Sequence, residues 1–227
     1  MHAPVPDTIP VELLLRAYRS GVFPMADHRS DREVYWVEPR ERAIIPLDGF
    51  HLSKSLRKVL RQDRFRVSCD EAFPAVIAAC AEPREELSES WISHQIEASY
   101  IELQHAGHAH SIEVWLDEEL VGGLYGVAFD RVFCGESMFS RTDNASKTAL
   151  AWLVAAMRRA GYALLDCQFM TDHLATMGAV AMPQSAYLEK VFAATGTPSS
   201  SIPQAIAAAN AHSSPGNSIA QDLTQTS

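Results

Sequence analysis

From Ser111 to Cys134 the helical period of the flanking segments gives way to strand patterning. Ser111-Ile112-Glu113-Val114-Trp115 alternates, Asp117-Glu118-Glu119 makes a turn, and residues 120–129 and 131–134 continue as apolar strands. Connections this short leave only antiparallel neighbours. On either side the period lengthens to that of a helix. Phe73, Val76, Ile77 and Cys80 follow Asp70, a candidate cap, and Ile96, Tyr100 and Leu103 run up to Gly107. Beyond the strands, Leu150, Leu153, Val154 and Met157 form a stripe that Asp143-Asn144 opens and Gly161 ends, and residues 162–166 are an apolar run of strand length. Helices flanking a β meander give an α+β layered domain.

At the N-terminus, Asp7-Thr8-Ile9-Pro10 opens a helix carrying Leu13, Leu14, Ala17 and Tyr18, and Gly21 closes it. Residues 27–42 are dense in charge and broken by proline, with a short strand over 34–37. The expected division is a small N-terminal α/β domain over 1–45, a main domain over 46–192, and a tail over 193–227. That tail is rich in Ser, Pro, Ala, Gln, Thr and Asn, almost free of charge and without a large apolar stripe. Such a composition is expected not to offset the entropy of ordering, so the tail is read as disordered.

A helix over 52–62 stands out by charge. Leu52, Leu56, Val59 and Leu60 recur on one face while Lys54, Arg57, Lys58 and Arg61 recur on the other. Six cations against one aspartate leave +5 between Leu52 and Arg66, in a chain whose total is −9. The total argues against nonspecific coating of nucleic acid; the local excess suits phosphate contact, or simply a solvated helix face. Arg40 extends the cationic set.

No run approaches the roughly 18 uncharged apolar residues of a membrane helix, and Met1-His2-Ala3-Pro4 lacks the blocks of a secretory signal. The chain is therefore read as soluble, cytoplasmic and without a membrane partner. Cys69, Cys80, Cys134 and Cys167 lie too far apart for a Cys-x-x-Cys pair and read as buried thiols. His105, His108 and His110 lack the spacing of zinc enzymes, so no metal is expected.

Gly122, Gly123 and Gly126 fall within five residues of a strand, which implies a bulge or a close backbone approach. One reading is a tightly packed sheet. The other is a ligand slot with a backbone floor, walled by Leu124, Phe133, Met138, Leu150, Leu153 and Leu165 and shaped for a hydrophobic side chain.

Several segments together resemble the leucyl/phenylalanyl-tRNA–protein transferases. They are residues 17–25 (Ala-Tyr-Arg-Ser-Gly-Val-Phe-Pro-Met), Trp36-x-x-Pro39-Arg40, Ser90-Trp91-Ile92, residues 110–115 (His-Ser-Ile-Glu-Val-Trp), residues 120–126 (Leu-Val-Gly-Gly-Leu-Tyr-Gly), residues 135–140 (Gly-Glu-Ser-Met-Phe-Ser), Asn144-Ala145-Ser146-Lys147 and Asp166-Cys167-Gln168. The match runs in order from about Pro10 to Val191; each motif is weak alone and specific in register.

The resemblance implies a small N-terminal domain followed by an acetyltransferase-like (GNAT-like) mixed sheet flanked by helices. It implies transfer of Leu, Phe or less often Met from aminoacyl-tRNA to the α-amine of a protein or peptide beginning with Arg or Lys. The product would be read by the Clp protease adaptor in the N-end rule pathway. Glu136, Asp166 and Gln168 match the catalytic positions, Asp166 polarising Gln168 toward the attacking amine. Met25, where some relatives carry tryptophan, joins the donor side-chain pocket. Tyr18, Trp91 and Tyr100 match positions near the donor's terminal adenosine, and Arg40, Lys54, Arg57, Lys58 and Arg61 would hold the tRNA backbone. No cofactor is implied, since aminoacyl-tRNA is a substrate, and a monomer is expected. A coenzyme A acyltransferase on a similar scaffold and a noncatalytic tRNA-binding module are the rival readings.

Overall fold

The computed structural model describes residues 8–83 and 90–224. Its centre is a seven-stranded mixed sheet in the order β4-β5-β6-β7-β8-β3-β9. The strands are β3 (Glu41–Ile45), β4 (Arg66–Cys69), β5 (Ala109–Leu116), β6 (Glu119–Phe129), β7 (Val132–Ser140), β8 (Leu164–Gln168) and β9 (Val180–Pro183). The expected meander is β5-β6-β7, antiparallel throughout. Asp117 and Glu118 both take positive φ, 49° and 66°, as a two-residue hairpin with right-handed strand twist requires. A separate antiparallel pair joins β1 (Phe23–Met25) to β2 (Tyr35–Val37).

Adjacent residues on the strands serve opposite cores. Ile45, Leu124, Phe133 and Leu165 pack on one side of the sheet, with α5 (Ala145–Ala160) and α2 (Lys54–Arg61). Their neighbours Ile44, Tyr125, Cys134 and Leu164 pack on the other side. That side holds α1 (Val11–Arg19), α3 (Phe73–Cys80), α4 (His94–His105) and α7 (Gln184–Ala193). Both faces are covered, which is why the middle strands read as nearly continuous apolar runs. The expected boundary at residue 45 falls after β3, a strand of the large sheet paired with β8 and β9.

Two local expectations are corrected. Asp70 does not cap α3; it takes a positive φ of 59° and its carboxylate accepts from Ser111 N instead. Asn144 stands at the start of α5 without a side-chain cap bond, and Ser140 Oγ accepts from Ser146 N. The glycines of β6 approach protein, not a ligand. A Cβ at Gly126 would stand 2.2 Å from the Cys134 carbonyl and 2.4 Å from the Phe133 ring, and one at Gly122 would stand 2.5 Å from Ala145.

The disordered tail is likewise overturned. Residues beyond 200 form α8 (Ile202–Asn210) and α9 (Pro215–Asp222), with Ile202, Ala205, Ile206, Ala209, Ile219, Ala220 and Leu223 buried in the α5-side core. Ser201 and Gln204 form a reciprocal capping box. Small side chains let these helices approach α5 closely, and Asn210 Nδ2 donates to Val67 O on edge strand β4. Covering that edge removes a template for pairing with another chain. Residues 225–227 lie outside the described part.

Candidate active site

The only parallel pair among the described strands creates the site. β7 and β8 are in register at Val132↔Leu164, Phe133↔Leu165 and Cys134↔Asp166, and beyond that point they splay. The splay opens a cavity of about 690 Å³ between the two core layers. Leu124, Leu150, Leu153 and Leu165 line it from the α5 side, and Phe23, Met25 and Trp91 from the other. Met138 lines it as well. Phe133, expected in the same wall, is fully buried and packs beneath Gly126 instead.

Glu136 on β7 and Gln168 at the end of β8 face each other across the splay. Gln168 Nε2 donates to Glu136 Oε1 at 2.9 Å, and both residues line the cavity. Tyr100 donates to Glu136 Oε2 at 3.3 Å and shares a hydroxyl hydrogen bond with Tyr18. Burial pushes the Glu136 carboxyl up to about 8, against the stabilising hydrogen bond from Tyr18; Asp166 also raises it, while Arg42 and Tyr100 lower it. Gln168 takes φ 55°, a left-handed backbone that is costly for a residue other than glycine.

Asp166 does not reach the cavity. It is fully buried and bound by Arg42, whose Nε and Nη2 donate to its two oxygens at 2.8 and 2.6 Å. Gln168 N and the Tyr187 hydroxyl donate to it at 3.0 and 3.2 Å. A carboxylate so occupied has no open side for an incoming amine. Arg42 went unnoticed because arginine is seldom fully buried and nothing in Glu41-Arg42-Ala43 sets it apart from surface arginines. Burial works to lower its pKa, but the hydrogen bonds and charge of Asp166 outweigh that and raise it.

Tyr18 and Tyr100 are also fully enclosed, so no base can stack on either ring. Their hydroxyls instead build the back of the Glu136 site. Trp91 is the member of that trio at the cavity. Exposed aromatic surface lies elsewhere: Tyr35 and Trp36 on β2 are 44% and 40% exposed, and Tyr35 pairs across with Met25. Phe169, 47% exposed, meets Phe23 edge-on at the cavity.

The cationic helix α2 forms as its periodicity indicates, capped by Ser53, with Leu56 and Leu60 buried and Lys54, Lys58 and Arg61 exposed. Arg57 is half-buried, its Nε without a hydrogen-bond partner. Arg40 is exposed. None of these lines the cavity, but the segment leading into α2 is tied to its wall: His51 N donates to Met177 O, three residues past the lining residue Leu174.

Among the described residues, Cys69, Asp70 and His110 bring ligand-type atoms within 4.8 Å of one another. Their bonds are internal: His110 Nδ1 lies 2.7 Å from Asp70 Oδ2, and Ser111 N donates to Asp70 Oδ1. Burial, then the charges of Asp70 and Glu113, hold the Cys69 thiol well above its usual range. The trio ties the end of β4 to β5. No described helix is long and apolar enough to cross a membrane.

Comparison with known proteins follows the same outline. The family model "Leucyl/phenylalanyl-tRNA protein transferase" matches residues 44–192, and that of its N-terminal domain matches residues 7–40. A leucyl/phenylalanyl-tRNA–protein transferase of Novosphingobium aromaticivorans is 54% identical, over 98% of this chain and 98% of its own. Those of Zymomonas mobilis and Rhizorhabdus wittichii are 56% and 55% identical over 82% of this chain, covering 69% and 75% of theirs. Among solved structures, L-PGS from Bacillus licheniformis is 15% identical over 72% of this chain and 55% of its own, with a TM-score of 0.39, too loose a likeness to carry an argument. With its sheet, its cavity and its ordered motifs all in place, this chain belongs to the leucyl/phenylalanyl-tRNA protein transferase family and is an aminoacyltransferase.

Proposed function

We propose that the splayed-strand cavity seats the side chain of Leu, Phe or Met while its ester to tRNA is attacked by the α-amine of a protein or peptide beginning with Arg or Lys. One observation carries the assignment of parts. The hydrogen-bonded pair Glu136–Gln168 stands at the wall of a cavity whose apolar lining includes Met25, Leu124, Met138, Leu150, Leu153 and Leu165, with Glu82, Arg141 and His173 also on its wall. An apolar chamber with a few convergent polar groups selects a hydrophobic side chain and fixes its reacting end. The finer reading of the sheet as acetyltransferase-like draws support from its mixed topology and the single splayed pair.

Chemically, the amine nitrogen bonds to the ester carbonyl carbon, the bond from that carbon to the ribose oxygen breaks, and the amine's proton ends on that oxygen. Gln168, whose Nε2 is committed to Glu136, presents its Oε1 to the amine as an acceptor and so orients it. A neutral amide is no base. Glu136, held at about 8, is matched to the α-amine's reference of about 7.7–8.0, so a proton passes between them at little cost. Because the ester is already activated, orientation supplies much of the remaining rate enhancement. Asp166 serves from behind, through the backbone of Gln168.

The exposed cations Lys54, Lys58 and Arg61, with Arg57 and Arg40, form the surface proposed to hold the tRNA backbone, a contact indifferent to sequence and so compatible with several tRNAs. Trp91 is proposed to meet the donor near its terminal adenosine. The test is transfer of label from Leu-tRNA to a peptide beginning with Arg. Transfer supports the assignment; an intact donor with no labelled peptide would falsify it. Replacing Lys54 and Lys58 by Glu should weaken Leu and Phe donors alike and flatten the salt dependence; discrimination between the donors would move the tRNA surface elsewhere.

A further inference from the structure

We infer that Arg42 is a positioning residue for transfer, fixing the amide of Gln168 through Asp166; the inference rests on the transferase reading above. Arg42 is fully buried on β3, beside β8. Its guanidinium lies between the rings of Phe23 and Tyr187, 4.9 and 4.5 Å from their centroids, and Nη1 donates to Gly21 O at 2.9 Å. With its fork on Asp166, the group is held on every side, by the turn after α1, strand β1, strand β8 and helix α7. A buried ion pair contributes weakly to net stability, and specifying one arrangement is its better-attested use.

What it specifies is the end of β8. The β3–β8 register shifts between Ala43 and Ile44, opposite Gln168 and Asp166. There the chain turns into the left-handed backbone of Gln168, held by its N–H on Asp166 Oδ1. That turn carries the side chain into the cavity and onto Glu136. If the carboxylate shifts, so does the amide. Lysine preserves the charge but cannot hold both carboxylate oxygens and the Gly21 carbonyl in one plane.

The test uses the full chain with Arg42→Lys. Steady-state transfer from Leu-tRNA to an Arg-peptide should show kcat down at least tenfold, with KM for the donor changed less than threefold. Carbon-13 titration of the Glu136 carboxyl, assigned with Glu136→Gln, should show its midpoint rising by about half a pH unit or more, since a displaced Gln168 no longer stabilises the carboxylate. Should Arg42→Lys fail to fold, Asp166→Glu keeps the charges and lengthens the arm by one methylene, and the same readouts apply. Wild-type rates with an unmoved midpoint overturn the inference, as does failure of both variants to fold, which would make the pair purely structural. A wild-type protein that transfers nothing overturns the transferase reading instead, and the Glu136 titration still decides the role of Arg42.

Discussion

Two of the described carboxyls, Glu136 and Glu113, are pushed above the ordinary range mainly by burial, and they are put to different uses. Glu113 on β5 is sealed. Ser68 Oγ donates to it at 2.6 Å, Ser111 Oγ donates to its other oxygen, and Ala72 N reaches that same oxygen at 3.4 Å. Ser68 in turn accepts from Trp115 Nε1 at 2.8 Å. Glu136 has Tyr100 and Gln168 behind and beside it, and a cavity in front. A displaced titration therefore marks a functional group only where one side is left open to a substrate. Glu113 has no such side; it ties β4 and the start of α3 to β5.

The largest expected effect follows directly. Glu136→Gln removes the proton acceptor but keeps the shape and most hydrogen bonds, so transfer should fall about 10²–10⁴-fold with the fold intact. Glu113→Gln should leave transfer near the wild-type rate. Steady-state kcat of the two variants beside their melting temperatures decides the matter. If Glu113→Gln lost transfer while Glu136→Gln kept it, the comparison would be inverted.

Next in size is stability at the sealed site. Glu113→Ala leaves two hydroxyls and an N–H without their acceptor in a dry interior, which costs about 1–3 kcal/mol. Urea unfolding should show the midpoint shifted at unchanged slope. A loss no larger than that of an exposed substitution would mean that water enters and the site is less closed than its zero exposure suggests.

The contrast also shows where reading residues in order succeeds. The meander, α2, α4 and α5 announce themselves because period and burial agree over eight residues or more. β3 and β9 do not. Their five and four residues carry charge or stand exposed at the sheet edge, and the pairing of β3 with β8 and with β9 depends on contacts 120 residues or more apart. The tail was misjudged because a stripe of Ile and Ala looks weak until a second Ala-rich helix lies against it; Ser201-x-x-Gln204 was the readable sign of a helix start. Around the cavity, Met25, Leu124, Met138, Leu150, Leu153 and Leu165 could be named from motif and periodicity. What could not be read was which polar residues face inward. Tyrosine, as at Tyr18 and Tyr100, occurs at surfaces and in cores alike, aspartate is ordinarily exposed, and only the splay of β7 from β8 decides that Glu136 and Gln168 open onto space while Asp166 is shut behind Arg42.

The smallest effect concerns pH, and its sign separates the two carboxyls by their uses. Both are raised, so the folded protein holds their protons more tightly than the unfolded chain does. That contribution to stability is complete below about 4.5 and is lost as pH rises, for Glu136 through about 8. Each group adds at most about 1.4 kcal/mol per pH unit inside its window. Glu136→Gln and Glu113→Gln should therefore each flatten the fall of stability with rising pH, measured by urea unfolding between pH 5 and 8. Activity should respond to only one of them. With Glu136 accepting the amine's proton, kcat climbs toward pH 8 and then levels, as more of the carboxyl is ionised; Glu113→Gln keeps this profile. A profile that instead falls from pH 6 to 8 would assign catalysis to the protonated Glu136, as a donor to the ester carbonyl or the leaving ribose oxygen, and would pass the amine's proton to water.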